Sequence, residues 1–75
     1  MVTAYVMVKA NTGEADRLLH AIADVDGVTD AHIVAGDVDI IAKVDVDAPA
    51  DVKEIAATTI QNIDGVEDTE TYISM

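Results

Sequence analysis

The segment Ala31-His32-Ile33-Val34-Ala35-Gly36-Asp37-Val38-Asp39-Ile40 holds the residues best placed for chemistry. A tight turn at Gly36-Asp37 offers backbone N–H groups that no strand partner uses. Asp39 follows two residues on, at the mouth of a strand. Turn amides can hold a carboxylate and the Asp39 carboxylate can hold an ammonium, both by charge-assisted hydrogen bonds. Together they suit a free α-amino acid. G-D-x-D is also an ordinary hairpin turn, and the residues alone leave both readings open.

Catalytic patterns do not appear elsewhere. There is no nucleophile elbow, no phosphate-cradling glycine loop and no H-E-x-x-H. His20 and His32 have no partner at metal-site spacing. His20 reads as a solvated helix residue and His32 as a sheet-face or interface residue. Asp24-Val25-Asp26-Gly27 and Asp45-Val46-Asp47 are short acidic turns without the loop and distal Glu of an EF-hand. No catalytic residue, metal site or cofactor is expected, and the chain is not read as an enzyme.

The charge balance narrows the partners. Fifteen acidic residues, eleven of them Asp, face only Lys9, Arg17, Lys43 and Lys53, for a formal charge of −11. Nucleic-acid binding needs a basic stripe, so direct contact with DNA or RNA is not expected. Half the chain is nonetheless apolar, which is not the composition of a disordered segment. An Asp-rich, Lys-poor surface around a core of small residues suits a salt-rich cytoplasm, where ions screen self-repulsion. A halophilic, archaeal source is the expectation. No cysteine is present, so disulfides and thiolate sites are excluded. No apolar run approaches the roughly 20 residues of a membrane span. The N-terminus has no basic segment ahead of an apolar one, as a signal peptide would. The expected location is cytoplasmic, with no membrane partner.

The elements that must position Gly36, Asp37 and Asp39 come from an internal repeat. Residues 39–75 lie on residues 1–37 without a gap, with nine identical pairs. Ala4, Val6, Val8 and Ala10 match Ala42, Val44, Val46 and Ala48. Ile22, Asp26, Gly27, Val28 and Asp30 match Ile60, Asp64, Gly65, Val66 and Asp68. Each half reads strand, helix, glycine turn, strand. Two halves in tandem predict an α+β, ferredoxin-like βαββαβ domain over 1–75, a four-stranded antiparallel sheet with two helices on one face.

Alternation predicts strands over about Val2–Lys9, Val28–Ala35, Val38–Val46 and Val66–Ser74. The spacing predicts a first helix opened by Asn11, with Glu14 as its capping-box partner and Ala15, Leu18, Leu19 and Ile22 as its buried stripe. Pro49 opens the second helix, whose stripe is Val52, Ile55, Ala56, Thr59, Ile60 and Ile63. Gly36-Asp37 is read as a two-residue hairpin turn. Two other activities of this fold lack their marks. An acyl-phosphate hydrolase would place an arginine in the loop Ala10-Asn11-Thr12-Gly13, and a metallochaperone would place cysteines there.

With both helices on one face, the other face of the sheet is bare. It carries Tyr5, Met7, Val34, Ile41 and Tyr72 among Thr3, Lys9, His32, Lys43 and Glu70. A patch this apolar usually marks an interface, and 75 residues make a small core that association would support. A sheet-to-sheet dimer through Tyr5, Met7, Val34, Ile41 and Tyr72 is the expectation.

The opening A-Y-V-M-V-K, the run D-G-V-T-D-A-H-I-V-A-G, the G-D-V-D turn and the ending G-V-E-D-T-E-T-Y-I-S together resemble the C-terminal effector-binding and assembly domain of the Lrp/AsnC (feast/famine) transcriptional regulators, the RAM domain. The likeness covers essentially the whole chain. It implies an amino-acid effector bound in clefts between dimers, and homodimers that assemble to octamers or similar rings. It places the family's turn motif on Gly36, Asp37 and Asp39, and its strand-4 ligand-response positions on Thr71, Tyr72 and Ile73. The helix-turn-helix is absent, as in stand-alone RAM proteins, and Val38 stands where the family often has an aromatic residue. The resemblance therefore implies a sensing and assembly module that modulates transcription regulators by mixed assembly with full-length Lrp-type proteins. The alternative is a pure protein–protein assembly module without ligand.

Overall fold

A computed structural model describes residues 1–11 and 13–75. Thr12, in the loop after the first strand, lies outside the described residues. The chain forms β1 (Val2–Ala10), α1 (Ala15–Ala23), β2 (Val28–Ile33), β3 (Ile40–Val46), α2 (Pro49–Lys53, continuing as a π-helical segment Glu54–Ile60) and β4 (Val66–Ile73). All strand pairs are antiparallel, in the order β2-β3-β1-β4. This is the ferredoxin-like α+β arrangement that the repeat predicts.

Alternation sorts the two faces. Ala4, Val6 and Val8 on β1 and Ile40, Ala42 and Val44 on β3 are fully buried. They form one cluster with Leu18 and Ile22 of α1 and Val52, Ile55, Ala56 and Ile60 of the second helix. A single core containing both helices places them on the same side of the sheet. Each valine, leucine or isoleucine side chain removed from water contributes roughly 1.5–3 kcal/mol, so this cluster is the main stabilising term.

The D-G-V-x-D turns fold alike in both halves. Gly27 and Gly65 take φ of +96° and +103°, where an L side chain is strained. Each turn is followed by a bulge. Val28 and Asp30 oppose Val44 and Lys43, leaving Thr29 unpaired, and Val66 and Asp68 oppose Ala10 and Lys9, leaving Glu67 unpaired. The repeat aligns Thr29 with Glu67, so the same distortion occurs twice.

Several local expectations are corrected. The first helix does not open at Asn11 with a capping box. Glu14 is its N-cap and makes no side-chain cap bond. The Glu14 carboxylate instead accepts from Arg17 Nε at 2.8 Å, a charged donor that outcompetes a backbone amide. Strand 2 ends at Ile33 and strand 3 begins at Ile40. Gly36-Asp37 is not a two-residue hairpin turn, which would need positive φ. Gly36 is not among the positive-φ residues, and a wider loop over 34–39 is closed by the Val34 N–H donating to the Asp39 carbonyl at 2.9 Å. Thr59 is exposed and leaves the predicted stripe. The π-helical segment uses more residues per turn, as the Gln61 N–H bond to the Ala56 carbonyl at 3.2 Å records, and this rotates Thr59 outward.

Candidate functional site

Asp39 anchors the loop. Its N–H donates to the Val8 carbonyl at 3.0 Å, and its Oδ2 accepts from the Ala10 N–H at 2.9 Å. The carboxylate read as the partner of a ligand's ammonium is thus also the acceptor for a strand-end amide. A carboxylate has about four acceptor positions, so capacity for a ligand remains. The N–H groups of Gly36 and Asp37 donate to no group among the described residues.

Beside this loop is a cleft of about 200 Å³, lined by Met7, Lys9, Asp37, Val38, Asp68, Thr69 and Glu70. Lys9 is the cation of the cleft and faces Asp68 across the β1–β4 ladder. The sequence alone does not mark Lys9, Asp68 and Glu70 as site residues. Alternation already sets Lys9 and Glu70 on the bare face; what brings them together with Asp68 beside the loop is the β1–β4 register, which is not visible in one strand alone.

The six expected ligand residues do not share one cavity within the subunit. Gly36, Asp37 and Asp39 lie together at the end of β1. Thr71 and Ile73 oppose Val6 and Ala4 on the helix-covered face, and line a separate groove of about 250 Å³. Tyr72 opposes Tyr5 on the bare face and is exposed. Alternation forces this split, since neighbours in a strand point to opposite faces.

The residues expected at an interface do assemble on the bare face. Met7 opposes both Ile41 and Glu70, Tyr5 opposes both Lys43 and Tyr72, and His32 opposes Ile41. Val34 falls just beyond β2, in the loop, and is half-buried. His20 is exposed on α1, and His32 Nε2 lies 2.9 Å from Asp30 Oδ2. That hydrogen bond holds the Asp30 carboxyl below its usual range, with Lys43 adding to the effect. The Tyr72 hydroxyl donates to Glu70, which pushes the Tyr72 phenol up, because the carboxylate favours the neutral hydroxyl. Among the described residues no group of three His, Asp or Glu is arranged to hold a metal ion. Among the described residues no helix is long and apolar enough to cross a membrane.

Comparison with known proteins adds the family. The chain is 34% identical over 55 residues to the leucine-responsive regulatory protein of Haemophilus influenzae, covering 73% of this chain and 33% of that protein. It thus spans about a third of the length of that curated relative. A crystal structure of a Thermus thermophilus protein superposes with a TM-score of 0.95 at 28% identity, covering 100% of this chain and 94% of the other. A Neisseria meningitidis transcriptional regulator, solved as a complex with L-Met, has a TM-score of 0.86 over 99% of this chain and 49% of its own, with 13% identity. At that identity the likeness is one of fold. The family model for the Lrp/AsnC ligand binding domain matches residues 3–75, and this chain therefore belongs to the Lrp/AsnC ligand-binding domain family.

Proposed function

We propose that this domain binds a free amino acid at the loop 34–39, and that binding biases its assembly and, through shared interfaces, the assembly of Lrp-type transcription regulators in the cytoplasm. The observation that carries the reading is the cleft beside Asp39. Lys9 and the carboxylates of Asp37, Asp68 and Glu70 line one opening of amino-acid size, and the adjoining loop carries the unused amides of Gly36 and Asp37 and the Asp39 carboxylate. The Gly36 and Asp37 amides and Lys9 suit the ligand's carboxylate, and Asp39 suits its ammonium. The opening is shallow on one subunit, so a second subunit pair has to close it before a ligand is buried. The Neisseria relative solved with L-Met supports an amino acid as the ligand class.

Calorimetry with a panel of amino acids, in molar salt, tests this. At least one is expected to bind to wild type. Asp39→Asn is expected to weaken that binding by about 1.5–3 kcal/mol, the usual value of a hydrogen bond to a charged group. Equal binding by the variant would remove Asp39 from the site. One observation favours the assembly-only alternative: Asp39 already has a structural role at the end of β1. If no amino acid binds while the protein still associates, that alternative replaces the sensor reading.

A further inference from the structure

We infer that the groove between the second helix and β4 is a second ligand site, which takes a small branched aliphatic monocarboxylate with Lys53 as its charge partner. The groove lies on the helix side of the sheet, across β4 from the cleft beside the loop 34–39, and the two share Thr69 at their border. Pro49, Val52, Ala56, Ala57 and Ile73 form its apolar wall and floor, and Lys53, Thr69 and Thr71 its polar edge.

The internal repeat explains why the space exists. Ala56 and Ala57 stand at the positions that Leu18 and Leu19 occupy in the first half. Leu18 is fully buried there, and Leu19 packs against the core. Two leucines replaced by alanines leave a void unless the backbone closes in. Here it does not close. The π-helical segment keeps its wide turn across Ala56, and edge strand β4 leaves Ile73 42% exposed on the face that elsewhere forms the core. A solvent-open groove of about 250 Å³ remains. A smaller engineered cavity of about 150 Å³ already takes benzene, so a branched aliphatic chain has room. Filling the groove restores contacts its lining lacks.

Lys53 sets the sign of the ligand. Arg17 pairs with Glu14 at 2.8 Å, while Lys9 and Lys43, which also enter no ion pair among the described residues, at least stand opposite the carboxylates of Asp68 and Asp30 in the strand register. No ion pair includes Lys53 among the described residues. Its helical neighbours three and four positions away are Ala50, Ala56, Pro49 and Ala57, none of them acidic. The repeat places Ala15 at its position in the first half. In a chain of net charge −11, an unpaired ammonium at the edge of an apolar groove is complementary to an anionic head on an apolar tail. The Thr71 hydroxyl, which makes no hydrogen bond among the described residues, adds a donor at the same edge.

The test is titration of the isotope-labelled protein with isocaproate, followed by NMR, with isoamyl alcohol and isoamylamine as uncharged and cationic controls. Saturable shifts are expected at Val52, Lys53, Ala57 and Thr71, with the alcohol and amine binding at least about tenfold more weakly. Lys53→Gln is expected to cost isocaproate a similar factor. Ala57→Phe, at an exposed position, is expected to fill the groove and abolish binding while the spectrum stays folded. Asp39→Asn is expected to leave isocaproate binding unchanged, which separates this site from the amino-acid cleft. Absence of saturable shifts, shifts confined to 34–39, or equal binding by Lys53→Gln would each overturn the assignment.

Discussion

The Asp39 carboxylate separates structural from ligand roles at the level of a single atom. Asn keeps an oxygen that can accept from the Ala10 N–H, whereas Ala leaves that amide without a partner at a site only 8% exposed. Asp39→Asn is expected to unfold within about 0.5 kcal/mol of wild type in denaturant, as substitutions that preserve packing and partners do. Asp39→Ala is expected to lose about 1–3 kcal/mol, the cost of a buried unsatisfied donor. A stability loss in Asn as large as in Ala would show that the charge, and not the acceptor, secures the loop. Tyr72 offers a second residue-scale check. Its phenol is raised from the ordinary value of 10.0 because it donates to Glu70. The stabilisation from this pair is therefore complete below the unfolded phenol's pKa and is lost as pH rises through the folded one. Glu70→Gln is expected to move Tyr72 ionisation to lower pH, read from phenolate absorbance. An unmoved titration would break the assignment of cause.

At the scale of elements, the two D-G-V-x-D turns act as matched joints that deliver each helix into a bulged edge strand. Gly27 takes φ of +96°, and an added Cβ would sit 2.6 Å from Ile55 Cδ1 and 3.2 Å from Val46 Cγ1. Gly27→Ala combines backbone strain with crowding in the core, and is expected to cost about 1–3 kcal/mol. At Gly36 an added Cβ would meet nothing within 4 Å, and φ is not positive. Gly36→Ala is therefore expected to stay within about 0.5 kcal/mol of wild type. Thermal unfolding of both variants checks the contrast, and equal losses would mean that the loop 34–39 is as constrained as the turn. If Gly36→Ala folds normally yet binds amino acids poorly, close approach of a ligand backbone is what the glycine serves.

For the whole molecule, charge and the bare sheet face dominate. A formal charge of −11 on 75 residues is self-repelling in dilute buffer, and ions shorten its range from roughly 30 Å at 0.01 M to 3 Å at 1 M. The melting temperature is expected to rise by tens of degrees between dilute and molar salt. A flat response would remove the argument for a salt-adapted protein. The bare face carries Ile41 between Met7 and His32, half-buried even within one subunit. If two such faces meet, Ile41→Asp buries an unpaired charge and costs the dimer on the order of 3 kcal/mol. Light scattering in high salt reads the result directly, and an undiminished dimer would place the interface elsewhere.

The alternation of Ala4, Val6, Val8 with Tyr5, Met7, Lys9, and its return at Ala42, Val44, Val46, determined the strands, their buried face and the doubled topology from sequence alone. These features depend on side-chain period and turn chemistry, which are local. The loop 34–39 was legible as the place where amides and a carboxylate meet. Its shape was not, because G-D-x-D fits both a tight turn and a wider loop, and the choice fell to Asp39 bonding the end of β1, 29 residues away in sequence. The helix start is illegible for a similar reason: Asn11 and Glu14 have capping spacing, while the Arg17 guanidinium beside Glu14 is the stronger partner. Lys9 joined Asp37 and Asp68 only through strand register, and Thr71 and Ile73 joined Lys53 only through the packing of the second helix on β4. Long-range pairing decides such groupings, since no local preference says which strand or helix a side chain will meet.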